Sequence, residues 1–300
     1  MLSVLRKGSI MYRFEIFTDS SADLTKEIIE EYNLHVMQLE VIIDDREPVW
    51  DRDLDSKEFY QMLRDGALAK TSAVTPGFFE SEMRKTLSDG KDLLYLGFSS
   101  GLSVTYNNGV MVLKELAQEF PERKILYADT LCGSLGQGLV VYYAAKLREQ
   151  GLPMEEILEK VEDVKGRIHH QITVDDLFFL VKGGRLKTSS AVLGSMLKIK
   201  PIINIDVEGK LFSAAKVRGR KASIKELFER MKSNEAVDEF PYVFISHGDC
   251  IEDAESLAEM VRREYSGVEV IIGNVGPVIG AHLGPGGLVL FYLGKTIKGT

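Results

Sequence analysis

The stretch 92–107, Asp-Leu-Leu-Tyr-Leu-Gly-Phe-Ser-Ser-Gly-Leu-Ser-Val-Thr-Tyr-Asn, constrains this chain more than any other. Residues 93–98 form an apolar run of strand length, the signature of a buried strand. The run breaks at Ser99, Ser100 and Gly101, and from Leu102 a helical spacing sets in, with Val110, Leu113, Leu116 and Ala117 recurring on one face. A strand, a hydroxyl-rich turn and a helix start together aim backbone N–H groups and hydroxyls at one point, where the helix dipole favours an anion. In an open α/β sheet that point lies at the carboxyl ends of the strands, where ligands bind. Ser99, Ser100 and Ser103 are therefore expected at the head of an anion site. The competing reading is that they only cap the helix.

The same unit recurs through the first half. Residues 13–17 read as a strand followed by the polar turn Thr18-Asp19-Ser20-Ser21-Ala22-Asp23, with Ser20 or Ser21 as cap of a helix that carries Leu24, Ile28, Ile29 and Tyr32. A turn so rich in hydroxyls and carboxylates, with Asp19 and Ser20 at its head, is a candidate edge of a site. Residues 35–44 read as a second strand and 56–65 as a helix, with Phe59, Met62 and Leu63 inward. In the loop 70–76, Thr75 suits an N-cap and Pro76 the first helical turn. Thr71 and Ser72 are then left with no capping duty. Residues 124–128 form another strand, and the next helix carries Leu139, Val140, Tyr143 and Leu147; Gly133, Gly136 and Gly138 lack dinucleotide-fingerprint spacing and suit close helix packing.

A helix over 154–169 bridges to the second half. There, 191–197 reads as an apolar helix and 199–205, 242–246, 268–272 and 288–293 as strands. Residues 206–211 form a hairpin, 251–265 a helix and 280–287 a glycine-rich loop. A chain of 300 residues defaults to two domains. The expected fold is α/β with two domains. Residues 11–165 form an N-terminal domain with a parallel sheet and flanking helices, 166–300 form a second α/β domain with a mixed sheet, and 1–10 are a loose extension.

Composition narrows the function. A net charge of −8 argues against general nucleic-acid binding. Cys132 and Cys250 are too few for a disulfide scaffold or a cysteine zinc site, and a reducing cytoplasm fits. There is no P-loop lysine motif, no His-Glu-x-x-His and no Gly-x-Ser-x-Gly elbow. His169 and His170, adjacent on a helix, would face apart, so no metal site is expected there. His247 and Cys250 allow a Cys–His nucleophile, but a buried inert thiol is the commoner case. His282 sits among glycines, where backbone can approach a ligand closely. From 182 to 221 ten Lys or Arg face two acids, Asp206 and Glu208, so this third either docks something acidic or is balanced by acids from elsewhere.

The motifs Thr18-Asp19-Ser20-Ser21-Ala22-Asp23-Leu24, Thr71-Ser72, Ser99-Ser100-Gly101-Leu102-Ser103, Gly183-Gly184-Arg185, Lys198-Ile199-Lys200-Pro201 and Gly280-Ala281-His282-Leu283-Gly284-Pro285-Gly286 together resemble the DegV family of bacterial fatty acid-binding proteins. The match is in family order and covers nearly the whole chain. The resemblance implies one long-chain fatty acid held between two domains, with the carboxylate at Thr71, Ser103 and His282. Ser72, Ser99, Ser100, Asp19 and Ser20, from the turns described above, are secondary candidates. The resemblance further implies a non-enzymatic carrier that presents the carboxylate to a separate fatty acid kinase for acyl-phosphate formation and phospholipid synthesis. Arg185 and Arg218 would form the docking face, transient membrane contact would accompany lipid exchange, and no cofactor or metal would be needed. Ala73, Val74 and Val104 depart from the usual family pattern and bear on chain-length preference. The alternative is a hydrolase or phosphotransferase that uses Ser103, His282 and Asp19. Burial of a long acyl chain gains roughly 10 kcal/mol at about 0.8 kcal/mol per methylene, against about 1.5–3 kcal/mol per hydrogen bond to the carboxylate. The tail thus sets affinity and the hydroxyls select a free acid. Residues 191–197 with Ile199, Ile202 and Ile203 are the expected tail lining.

Overall fold

A computed structural model describes residues 14–44, 46–186 and 199–299. The chain runs β1 (Phe14–Asp19), α1 (Lys26–Glu31), β2 (Leu34–Met37), β3 (Glu40–Ile43), β4 (Val49–Trp50), α2 (Ser56–Arg64), β5 (Ala69–Ser72), α3 (Pro76–Ser88), β6 (Asp92–Gly97), α4 (Thr105–Glu119), β7 (Ile125–Asp129), α5 (Leu135–Glu149) and α6 (Met154–Lys165). It continues through β8 (Ile168–Thr173), α7 (Phe178–Lys182), β9 (Ile199–Ile205), β10 (Leu211–Arg218), α8 (Arg220–Asn234), β11 (Tyr242–His247), α9 (Ile251–Glu264), β12 (Glu269–Asn274), α10 (Pro277–Leu283) and β13 (Leu288–Leu293).

These strands form three sheets. A parallel sheet of order β2-β1-β6-β7 carries helices on its faces, as the strand–turn–helix repeat requires. A mixed sheet of order β10-β9-β8-β13-β11-β12 holds the strands from residue 168 onward. A small antiparallel sheet, β4-β3-β5, stands apart from both. Helix α5 packs against strands of both large sheets. Twelve of its fifteen residues are buried, which is why its sequence is apolar nearly all round rather than along one stripe. The core spreads from the parallel sheet through α5 to one face of the mixed sheet. A second core, with α8 and α9, covers the opposite face.

Several expectations change. Residues 35–44 are not one strand: β2 joins the parallel sheet and β3 the small one. The helix from 154 stops at Lys165, so His169 and His170 lie on strand β8. Helix α1 is capped by Thr25, whose side chain accepts from Ile28 N, not by Ser20 or Ser21. Helix α4 starts at Thr105, three residues later than Leu102. Helix α8 adds an element between the strands 199–205 and 242–246, and its Ile224, Leu227, Phe228 and Met231 recur at helical spacing and are buried. Among the described residues, no helix is long and apolar enough to cross a membrane. The expected helix 191–197, Lys187 and Lys198 lie outside the described residues.

Candidate functional site

The turn after β6 is built by its own hydrogen bonds. Ser99, fully buried, donates from Oγ to Gly209 O at 2.8 Å and accepts from Gly101 N at 3.2 Å. Leu102 N and Ser103 N both donate to Ser99 O. The exposed Ser100 donates its N–H to the Asp129 carboxylate at 3.2 Å. Ser103 Oγ accepts from Thr105 N at 3.2 Å and shares a hydrogen bond with Thr105 Oγ1 at 3.0 Å. Ser99 thus braces the turn, while Ser103 accepts from the first residue of α4 and also lines a cavity.

That cavity has a volume of about 470 Å³, within the range for small-molecule sites. Its rim carries Thr71, Ser72, Ser100, Ser103, Arg185 and His282; its walls are apolar, with Phe98, Ile172, Ile205, Leu211, Val289 and Phe291. Of the expected tail lining, Ile199, Ile202 and Ile203 are not in the wall. Ile202 belongs to the core under α8, on the other face of the sheet, because side chains alternate along a strand. Ile205 and Leu211 take their place.

Thr71 and Ser72 stand on the short strand β5 and not in a loop. Thr71 pairs with Val41, and Ser72 with Glu40. Thr71 Oγ1 lies 3.0 Å from His282 Nε2, so the hydroxyl left without a capping role joins residues 211 positions apart. His282 is in the last turn of α10, not in a loop. The glycines after it end the helix: Gly284 has φ 76°, and a Cβ there would strike the Phe179 ring. On the other side, a Cβ on Gly183 would collide with His282 Nδ1. The Gly183-Gly184-Arg185 motif thus makes room for the imidazole. Arg185 then crosses to the β6 turn, donating from Nε to Leu102 O at 3.2 Å and from Nη1 to Gly183 O at 2.6 Å. It has no acidic partner among the described residues, and burial pushes its guanidinium pKa down.

Burial, and then the charge of Arg185, lower the His282 pKa to about 4, so the imidazole is neutral near pH 7. Its Nδ1 finds no protein partner among the described residues. In the tautomer that donates from Nε2 to Thr71, the Thr71 hydroxyl proton stays free for an anion. The hydrolase arrangement is not assembled. Ser103 bonds Thr105 and His282 bonds Thr71, while the buried Asp19 accepts from Phe98 N at 2.9 Å and Ser21 N at 3.2 Å and lies outside this cavity. Ser20 is outside it too, accepting from Leu39 N.

Arg218 is exposed at the end of β10. Part of the basic third is balanced by acids: Lys200 meets Asp175 at 2.7 Å, Arg220 meets Asp253 at 2.8 Å, and Lys210 meets Glu208. Burial pushes the Cys250 thiol up to about 12, which removes it as a nucleophile near neutral pH. No group of three or more His, Cys, Asp or Glu among the described residues is placed to hold a metal ion.

A second cavity, about 730 Å³ and polar, lies at the other end of α10 and is lined by Asp19, Ser20, Asp23, Asp51 and His247. Asp23 accepts from Gly276 N at 2.9 Å and from Ser134 Oγ at 2.5 Å, and Asp51 accepts from Val278 N at 3.1 Å. These carboxylates cap the helix that carries His282. Burial raises the Asp51 pKa to about 6. It raises that of Asp23 well above the usual range, and the Asp51 charge adds to the effect.

The fold is α/β, with a hydroxyl–imidazole pair at the edge of an apolar chamber. The chain belongs to the DegV family, whose model, described as that of an uncharacterised protein, matches residues 13–295. A DegV domain-containing protein of Clostridium perfringens is 40% identical over 288 residues, which covers 95% of this chain and 99% of the relative. A DegV lipid-binding protein of Thermotoga maritima shares the fold with a TM-score of 0.81 and 28% identity, over 95% of this chain and all of that one. DegV of Bacillus subtilis, a fatty acid-binding protein, matches with a TM-score of 0.79 and 28% identity over the same shares.

Proposed function

We propose that this protein holds one long-chain fatty acid in the 470 Å³ cavity and acts as a carrier, not an enzyme. The carboxylate sits among Thr71, Ser103 and His282, with Ser72 and Ser100 beside them. The observation that carries the reading is that one apolar chamber gathers these donors from β5, the β6 turn and α10 at a single rim. Uncompensated Arg185 makes the rim electropositive, which favours an ionised head. The fatty acid binding described for the Thermotoga and Bacillus proteins supports the same ligand class. The exposed rim suits delivery: a partner fatty acid kinase reaches the carboxylate and phosphorylates it to an acyl phosphate, with Arg218 on the docking face.

Native and then denaturing mass spectrometry of the purified protein tests this. The expected result is a mass excess that leaves as a free fatty acid on denaturation. Thr71→Ala and Ser103→Ala should each weaken retention about 10- to 100-fold, the loss of one hydrogen bond to a charged group, and His282→Ala should weaken it by releasing the Thr71 hydroxyl that the imidazole orients, with the melting temperature little changed. An apo mass that persists after lipid loading rejects the carrier reading. Unchanged affinity in all three variants rejects the head-group assignment.

A further inference from the structure

Resting on the fatty-acid reading, we infer that His170 is the end-stop of the acyl chamber and that Gly136 sets how far its ring stands into it. The register of the mixed sheet orders the chamber from rim to floor. Leu288 pairs with Thr173, Val289 with Ile172 and Phe291 with His170. The strand β13 starts just beyond the turn that follows His282, and along it the cavity is lined first by Val289 and Ile172 and then by Phe291 and His170, two residues or roughly 7 Å further at the rise of a strand. Both line the cavity and both are buried. Their rings meet edge to face with centroids 5.0 Å apart.

The imidazole is fixed there as a neutral, saturated group. Nδ1 lies 3.2 Å from Ile168 O, and Nε2 lies 3.3 Å from Gly133 N. These partners assign the tautomer with the proton on Nδ1. With both nitrogens engaged, the ring offers a chain end no free donor or acceptor and acts through its shape. Its back rests on α5. A Cβ on Gly136 would collide with His170 Nε2 and would lie 2.8 Å from Phe291 Cδ1. Because His170 also lines the cavity, a side chain at 136 should drive its ring toward the ligand. His170 and Gly136 thus tune one dimension in opposite directions, while the rim that reads the carboxylate is untouched.

The test loads wild-type, His170→Val and Gly136→Ala proteins with a mixture of saturated fatty acids of graded length. Native mass spectrometry counts the occupied fraction, and denaturation releases the acids for length analysis. His170→Val should shift the bound distribution toward longer acids, because valine reaches less far from the backbone than the imidazole. Gly136→Ala should shift it toward shorter acids. Occupancy in both should stay near wild type. Full occupancy with unchanged lengths in the variants overturns the end-stop and leaves the carrier reading standing, whereas no uptake by the wild type removes the carrier reading itself. If His170→Val fails to fold, Gly136→Ala decides alone: a shift to shorter acids supports the end-stop, and an unchanged distribution rejects it.

Discussion

Two cavities meet α10 from opposite ends, and their chemistry is opposite. At its C-terminal end the 470 Å³ chamber is apolar, with a few hydroxyls, an imidazole and Arg185 at the rim. At its N-terminal end the 730 Å³ space is lined by Asp19, Asp23 and Asp51. The larger cavity is therefore not the better lipid site, since an apolar chain gains nothing beside carboxylates that need hydrogen bonds. Its acids serve the smaller cavity instead. Asp23 and Asp51 hold the start of α10 through Gly276 N and Val278 N, and the same rigid turns of helix place His282 against Thr71.

The comparison is broken most directly at Asp23. Asp23→Ala removes the acceptor of Gly276 N and Ser134 Oγ and places alanine at φ 50°. It should cost about 3 kcal/mol, from two hydrogen bonds to a charged or strongly polar group, read as a lower denaturant midpoint with an unchanged slope. Asp23→Asn, which keeps an acceptor and tolerates that conformation, should lose less than half as much. Equal losses in the two would show that the cap contributes little.

The two ends of α10 should also carry opposite pH slopes. Asp51 titrates at about 6 in the fold, against 3.8 ordinarily. Between those values the folded chain holds more proton than the unfolded, so stability falls as pH rises through the window. His282 titrates at about 4, against 6.5; there the unfolded chain holds more proton, and stability rises with pH. Asp51→Asn should remove the fall and gain up to about 3 kcal/mol at neutral pH. His282→Gln should remove the rise, a gain confined to the acid side. Thermal unfolding of the three proteins across pH 4 to 7 reads both slopes, and parallel curves would refute the assignment.

The smallest effect is expected far from both cavities. Arg218→Ala should change stability by no more than about 0.5 kcal/mol and leave lipid retention unaltered. A kinase pull-down should weaken if Arg218 belongs to the docking face, and undiminished capture would remove it from that face.

Local sequence was informative wherever local physics decides. The apolar run before Ser99, the Thr75–Pro76 helix start and the last strand at 288–293 all stand where pattern and capping rules put them. Thr71 and Ser72 stood out because no nearby helix used them. Ser99 and Ser103, by contrast, are the same residue in the same turn. Only Gly209, more than a hundred positions away, fixes one as a brace by accepting its hydroxyl proton. His169 and His170 look helical next to the preceding amphipathic run, yet sheet pairing with Tyr292 and Phe291 overrides that propensity.

The sequence alone determined the alternation of strands and helices and the family, because periodicity, capping and motif order are properties of neighbours along the chain. Tertiary structure alone decided that Thr71 meets His282, that Gly183 yields to the imidazole, that Asp19 stays out of the cavity and that His170 lies at its floor. Those facts depend on which faces of two sheets close on α5, and that packing is fixed by contacts between residues remote in sequence.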